Sequence, residues 1–277
     1  NTLVFYDNDH SGGFVKSRSI GLNGEVTSCK TADFNSDGFT DLVLVKNNHF
    51  EILLGDSVSS FYKKTSLETP VTPDKFVILD FNGDGFNDIA YMSIKTGELY
   101  ISFAKSGDKF YPPILYLKKN NLVSITASID RAGKKIAALT SDGQIFLINT
   151  IGIVDATFLI TGGDSPAAVG AFDYMNDKFK DICYIDSGMQ SLILFLSERR
   201  NLFRTYIPIP LLNTHSKILT DDSDPKTKTF YLFTNGEKTI EIVRMNFETH
   251  IFKKLIIYTD YPIEDLKLSV DRLKDWQ

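Results

Sequence analysis

The chain has 277 residues, of which 43% are hydrophobic and 23% charged, an ordinary composition for a folded protein that excludes wholesale disorder. The formal net charge of −5 argues against nucleic acid as the main partner, because phosphate binding needs a basic surface. No run of about 18 apolar residues occurs, so no membrane span is expected, and the 21 Phe and 12 Tyr residues favour strands.

Two short apolar segments come first in the chain, at Leu3–Tyr6 and from Phe14 onward, separated by a turn at Asp7–Gly13. The first residue, Asn1, is not a methionine, and no signal segment follows it. We therefore expect a processed or excised chain, whose signal peptide is removed or lies outside this sequence.

Two nearly identical acidic segments follow: DFNSDGFTD at 33–41, then LVLV, and DFNGDGFND at 80–88, then IAYM. Their first aspartates are 47 residues apart, and a weaker copy, DYMNDKFKD, begins 93 residues after the second, at Asp173. Degenerate copies of the motif lie near 127, 220 and 267, each about 47 residues after the copy before it. Repeats starting near 33, 80, 127, 173, 220 and 267 therefore cover the whole chain.

Each repeat contains four short apolar segments separated by turn residues. In the second repeat these are Phe76–Leu79, Ile89–Met92, Leu99–Phe103 and Ile114–Leu117. Gly-containing turns between short β-rich runs indicate hairpins. Four antiparallel strands recurring at this spacing predict an all-β protein, a β-propeller of four-stranded blades.

The pattern D-x-[DN]-x-[DN]-G-x-x-D followed by apolar residues resembles the FG-GAP, or VCBS-type, repeat, and is similar to the blades of the integrin α-subunit propeller. The resemblance implies that each acidic loop joins the innermost strand A of a blade to its strand B. Strand A then ends near Asp33 and Asp80, and strand B begins near Leu42 and Ile89.

Five complete strand sets begin near Val26, Phe76, Val123, Ala167 and Lys217. Residues 2–20 match strands C and D of a further blade, and residues 265–277 match strand A, the loop and the start of strand B. We therefore predict one domain over 1–277, with six blades and a closing blade shared by both termini. The alternative is part of a seven-bladed propeller, because only Trp276 and Gln277 follow Asp275 where strand B is expected.

The two intact acidic loops are candidate calcium sites, because calcium takes six to eight hard oxygen ligands and glycine permits the tight turn. The first predicted ligand set is Asp33, Asn35, Asp37, the Phe39 carbonyl and Asp41. The second is Asp80, Asn82, Asp84, the Phe86 carbonyl and Asp88. An EF-hand is excluded, because position 12 is Leu44 or Tyr91 instead of Glu. The alternative is a pair of Asx-rich turns without metal, in which three carboxylates would repel one another.

The third loop offers a weaker set: Asp173, Asp177 and Asp181. Met175 replaces the oxygen at position three, and Lys178 replaces the glycine. We expect an empty loop or a Lys–Asp contact there, and metal-free loops near 130 and 224.

No nucleophile elbow, zinc-protease motif or phosphate loop occurs, so no catalytic residue is predicted and we do not expect an enzyme. The predicted function is a calcium-stabilised, non-catalytic module for protein–protein interaction or adhesion. The alternatives are a lectin-like, carbohydrate-binding propeller and an accessory domain of a polysaccharide-active or toxin-like protein. Loops of low calcium affinity fill outside the cytoplasm, so an extracellular, cell-surface or periplasmic location is expected.

Overall fold

The computed structural model describes residues 2–8, 14–56, 61, 63–130, 133–150, 156–160, 163–199 and 202–263. Throughout these ranges the regular structure is β-strand, and no helix occurs. The first two strands, β1 (Thr2–Asn8) and β2 (Phe14–Gly21), form an antiparallel hairpin. Five four-stranded antiparallel sheets follow along the chain, which confirms the predicted fold class.

We call these sheets blades one to five. Blade one contains β3 (Ser28–Ala32), β4 (Asp41–Lys46), β5 (His49–Leu54) and β6 (Lys63–Glu68). Blade two contains β7 (Lys75–Leu79), β8 (Asp88–Ser93), β9 (Glu98–Ser102) and β12 (Ile114–Lys118), with a small hairpin, β10 (Ala104–Ser106) and β11 (Lys109–Phe110), between its last two strands.

Blade three contains β13 (Leu122–Asp130), β14 (Gly133–Thr140), β15 (Gln144–Asn149) and β16 (Ala156–Ile160). Blade four contains β17 (Pro166–Phe172), β18 (Asp181–Asp186), β19 (Ser191–Arg199) and β20 (Leu202–Pro210). Blade five contains β21 (Lys217–Asp221), β22 (Thr227–Phe233), β23 (Thr239–Asn246) and β24 (Ile251–Tyr258). Each blade therefore begins within two residues of its predicted start.

Three local features differ from the sequence prediction. The turn residues between the predicted segments Leu99–Phe103 and Ile114–Leu117 form the hairpin β10–β11. In blade three, β13 continues to Asp130, which pairs with Gly133, so this repeat has a tight turn in place of the nine-residue loop. In blade five, Asp221 pairs with Thr229, as Ala32 pairs with Asp41 in blade one. The first residue of the blade-five loop, equivalent to Asp33, is therefore Asp222. It lies two residues beyond the predicted start at Thr220.

Alternation along the strands lets blades one to four pack on both faces. In β4, Val43 and Val45 pack towards blade two, where Tyr91 belongs to the same buried cluster. Leu42 and Leu44 lie on the other face and pack with Leu3 and Phe5 of β1. Similar buried clusters join blades two and three, three and four, and four and five. The core is therefore a series of blade-to-blade contacts.

The innermost strands of the five blades line a central cavity of about 580 Å³. Hydrogen bonds cross between neighbouring inner strands: Lys30 Nζ donates to the Phe76 carbonyl at 2.6 Å, and Thr220 Oγ1 to the Ala171 carbonyl at 2.7 Å. Strand A is thus innermost, as the repeat resemblance implies. The predicted strand A of the closing blade, at 265–277, lies outside the described residues, so the number of six blades stays a prediction.

Candidate metal centre

The acidic loops lie on one face of the propeller, where the innermost strand of a blade turns back into its second strand. We call it the acidic-loop face. We name its loops one (33–41), two (80–88), four (173–181) and five (222–228) after their blades. The opposite end, which we call the turn face, carries the B–C turns and the connections between blades. Loops one and two follow β3 and β7 directly.

Loop one is built by hydrogen bonds from its own backbone. The Asp33 carboxylate accepts from the N–H groups of Asp37, at 3.2 Å, and Gly38, at 2.9 Å. The Asp37 carboxylate accepts from the Phe39 N–H at 2.8 Å and from Asn35 Nδ2 at 2.7 Å. Gly38 has a φ of +87°, which a residue with a side chain rarely adopts. The first three predicted side-chain ligands therefore converge on one turn.

Loop two repeats this arrangement. Asp80 accepts from the N–H groups of Gly83, at 2.6 Å, and Gly85, at 3.1 Å. Asn82 Nδ2 donates to Asp84 at 2.9 Å, and Asp84 also accepts from the Phe86 N–H at 2.9 Å. The two segments thus share most of these contacts, but Asp80 accepts from Gly83, at position four, whereas Asp33 accepts from Asp37, at position five.

The aspartate at position nine has a different environment from the other loop aspartates. Asp41 is fully buried, and its two carboxylate oxygens accept from the N–H of Phe34 at 2.7 Å and the N–H of Gly55 at 2.8 Å. It therefore ties the start of the loop to the end of β5. The repeat motif alone does not indicate this structural role, because Gly55 lies outside it.

The same contact recurs in two other blades. Asp88 accepts from Phe81 and Ala104, both at 2.7 Å, and Asp181 accepts from Tyr174 and Ser197, both at 2.6 Å. All of these distances join a carboxylate oxygen to a backbone nitrogen. We call the three position-nine residues, Asp41, Asp88 and Asp181, the clasp aspartates.

Burial changes how readily the clasp aspartates ionise. Burial raises the pKa of Asp181 to about 7, against the effect of its two backbone donors, and the charges of Asp173 and Asp177 add to the rise. For the same reasons the pKa of Asp88 is raised to about 6, with smaller contributions from Asp84 and Asp80. The neighbouring carboxylates therefore repel one another.

Side chains and backbone also join loops of neighbouring blades. Ser36 Oγ donates to the Gly85 carbonyl at 2.7 Å, and Asn87 Nδ2 to the Asp33 carbonyl at 2.6 Å, which connects loops one and two. Lys134, at the start of β14, places its Nζ 3.1 Å from Oδ2 of Asp80. Loop two therefore receives an ammonium group from blade three.

Loop four is bridged to loop five by lysines. Lys180 forms an ion pair with Asp222, which also accepts from the Asp173 N–H at 2.8 Å. Lys228 is fully buried and donates to Asn176 Oδ1 at 2.6 Å. The loop predicted to be empty or to hold a Lys–Asp contact thus contains such a contact, made by Lys180 instead of Lys178.

The oxygen donors of loops one and two suit a hard cation such as calcium. Each loop offers two carboxylates, one amide oxygen and one carbonyl, and the carboxylates repel one another without a positive charge. In loop two, the ammonium group of Lys134 supplies a positive charge beside the carboxylate of Asp80. The third carboxylate of each loop, Asp41 or Asp88, is bound to backbone donors instead.

Two kinds of feature are absent from the described residues. No group of three or more His, Cys, Asp or Glu side chains is arranged there to hold a metal ion. Nor does that part of the chain include a helix long and apolar enough to cross a membrane. The calcium ligand sets stay predictions, and they depend on amide and carbonyl oxygens as well as carboxylates.

The profile of the FG-GAP-like repeat family matches residues 33–91, the segment that contains loops one and two. Residues 33–91 carry an FG-GAP-like repeat. This match confirms the resemblance on the residues where the motif is intact. No curated protein matches the sequence.

Solved structures with the same fold include BBS1N in complex with ARL6DN, at 12% identity and a TM-score of 0.60, covering 87% of this chain and 70% of that one. A functionally unknown protein from Desulfotomaculum acetoxidans DSM 771 is 14% identical with a TM-score of 0.66, covering 92% of this chain and 75% of that one. At these identities the likeness shows the fold alone.

Proposed function

We propose that this FG-GAP-like propeller is a non-catalytic module that binds a protein partner through its turn face. The observation that carries the proposal is a set of exposed apolar side chains in turns of that face. They come from unrelated turns and are exposed by 44% to 81%: Ile94, Met189, Leu212 and Tyr261. Apolar side chains that several turns expose on one face are typical of an interaction surface. The acidic-loop face also exposes Phe39 and Met175, but its loops are joined to one another by hydrogen bonds.

The turns that carry these side chains differ from blade to blade. The B–C turn of blade two reads IKTG at 94–97, whereas that of blade four reads SGMQ at 187–190. A lectin-like propeller usually repeats one sugar pocket in each blade. Dissimilar turns instead form one composite surface, which favours a single protein ligand over a repeated small one. BBS1N, which shares the fold, is itself in complex with another protein.

The test is affinity capture from the source's envelope or culture fluid, with the protein and its variants as bait. We expect one stoichiometric partner, lost in Met189→Lys and Leu212→Lys. Met175→Lys is the matched control, because Met175 is also exposed but lies in loop four, on the acidic-loop face. Capture that survives both turn-face variants would refute the proposed surface.

Carbohydrate binding is the second candidate, favoured by the 81% exposure of Tyr261, whose ring could stack on a sugar. A glycan array distinguishes the two. Reproducible glycan binding that is lost in Tyr261→Ala would replace the protein-partner proposal.

Calcium in loops one and two is part of the proposal. Bound only by the native chain, the ion would stabilise the acidic-loop face, while the turn face remains free for a partner. Weak sites of this kind fill at extracellular calcium concentrations, which supports a location outside the cytoplasm. Retention of calcium after purification in calcium-containing buffer, measured by elemental analysis, tests this part of the proposal.

A further inference from the structure

An ammonium group lies against an oxygen that the sequence predicts as a calcium ligand. Nζ of Lys134 is 3.1 Å from Oδ2 of Asp80, and both side chains are partly buried. Partial burial strengthens such a pair, because less water screens the two charges. Hydrogen bonds from Lys134, Gly83 and Gly85 outweigh the burial of Asp80 and hold its pKa below the usual value.

Loop one has a neutral neighbour at the corresponding place. Asn87 of blade two, whose side-chain amide donates to the Asp33 carbonyl, is uncharged, and Ser36 of loop one donates in return to the Gly85 carbonyl. Within the described ranges no lysine or arginine forms an ion pair with Asp33 or Asp37. The two intact loops therefore share a motif but differ in the charge beside it.

Loops four and five show what accompanies loss of the motif. Lys180 pairs with Asp222, and the buried Lys228 reaches Asn176. Ammonium groups thus lie among the loop oxygens where the repeat has lost its glycine or its position-three oxygen. Loop two combines an intact motif with a lysine of this kind.

We infer that Lys134 competes with calcium for Asp80, so that loop two binds the ion more weakly than loop one. This inference rests on the calcium sites of the proposed function. A divalent ion and an ammonium group bound to one carboxylate repel each other, so calcium must displace Lys134 from Asp80. Loop one has no such ion pair to break.

The experiment measures calcium binding by calorimetry in single-site backgrounds. Asp37→Ala leaves loop two as the only intact loop, and Asp84→Ala leaves loop one. In the Asp37→Ala background, we expect Lys134→Met to tighten calcium binding about two- to fivefold, the size expected for loss of one partly exposed ion pair. Lys134→Gln should act in the same direction, and circular dichroism confirms that each variant folds.

Two controls isolate the effect. Lys95→Met removes the same charge from an exposed turn on the turn face and should leave calcium affinity unchanged. In the Asp84→Ala background, Lys134→Met should have no effect, because loop two is already disabled.

The outcomes separate this inference from the proposal beneath it. If loop one binds calcium and both Lys134 variants leave the affinity of loop two unchanged, the competition is wrong while the calcium proposal stands. If the unmodified chain binds no calcium at all, the calcium proposal fails and this inference fails with it.

Discussion

The carboxylate of Asp88 accepts a hydrogen bond of 2.7 Å from the backbone N–H of Phe81, and this bond joins positions two and nine of loop two. Equivalent bonds join Asp41 to Phe34 and Asp181 to Tyr174. Each aspartate uses its second oxygen to accept from the chain near the end of the third strand of the blade, at Gly55, Ala104 or Ser197. Position nine of the repeat thus joins the acidic loop to the third strand in blades one, two and four.

The first prediction concerns the clasp of blade four. Asp181→Asn keeps the size of the side chain but turns an NH₂ group towards one of two backbone N–H donors. A buried donor left without an acceptor costs about 1–3 kcal/mol, so we expect the free energy of unfolding to fall by that amount. Urea denaturation measures the loss.

The control for this substitution is Asp260→Asn at an exposed position, which should stay within about 0.5 kcal/mol of the unmodified chain. Equal stability of the Asp181 and Asp260 variants would contradict a structural role for the clasp.

The second prediction is the pH dependence of the same clasp. Burial raises the pKa of Asp181 to about 7 in the folded chain, whereas an unfolded aspartate has a pKa near 3.9. Between these values the folded state binds more protons than the unfolded state. The contribution of Asp181 to stability therefore grows as pH falls from about 7 towards about 4.

This dependence is measured as the difference between the unmodified chain and Asp181→Asn, in calcium-free buffer at pH 7.5 and pH 5. We expect the difference in unfolding free energy to change by about 1–3 kcal/mol between the two values. A difference that is constant with pH would show that the carboxyl group does not take up a proton in this range.

Local signals explain why the blades could be located from the sequence, and distant contacts explain what was missed. The acidic motif, the Gly-containing turns and the alternating apolar residues place β7 and β8 within a residue or so of their observed bounds. The bond from Asp41 to Gly55 spans 14 residues, and the pair of Lys134 with Asp80 joins two blades. Such contacts depend on how strands and blades come together, which a repeat pattern does not contain.

The third prediction is the effect of calcium removal. A ligand that binds only the folded state adds about 1.4 kcal/mol per site at a tenfold excess over its dissociation constant. EGTA should therefore lower the melting temperature by a few degrees, and calcium should restore it. Elemental analysis should find two ions, lost together in the Asp37→Ala/Asp84→Ala double variant.

Magnesium is the control for this prediction, because it requires a tighter octahedral site and should not replace calcium at equal concentration. A melting temperature that does not respond to EGTA, in a chain that retains no calcium, would rule out both sites and support the alternative of metal-free Asx turns.

The fourth prediction concerns closure of the ring. At the end of blade five, the backbone N–H of Thr259 donates a hydrogen bond to the Lys238 carbonyl at 2.8 Å. Equivalent hydrogen bonds occur at the ends of blades one, two and four, where the donors are the N–H groups of Thr69, Lys119 and Leu211. An apolar face of blade five, formed by Phe233, Ile240 and Ile242, points away from blade four. The sequence predicts that residues 265–277 begin the closing blade, next to this face.

Deletion of 265–277 should therefore lower the free energy of unfolding by about 3 kcal/mol or more, because each apolar side chain left in water costs about 1.5–3 kcal/mol. It should also produce concentration-dependent association, measured by size-exclusion chromatography with light scattering. Removal of Trp276 and Gln277 alone is the matched control and should have a smaller effect, because the predicted strand A remains. If the longer deletion leaves a monomer of unchanged stability, the shared closing blade is wrong, and the alternative of a window from a seven-bladed propeller gains support.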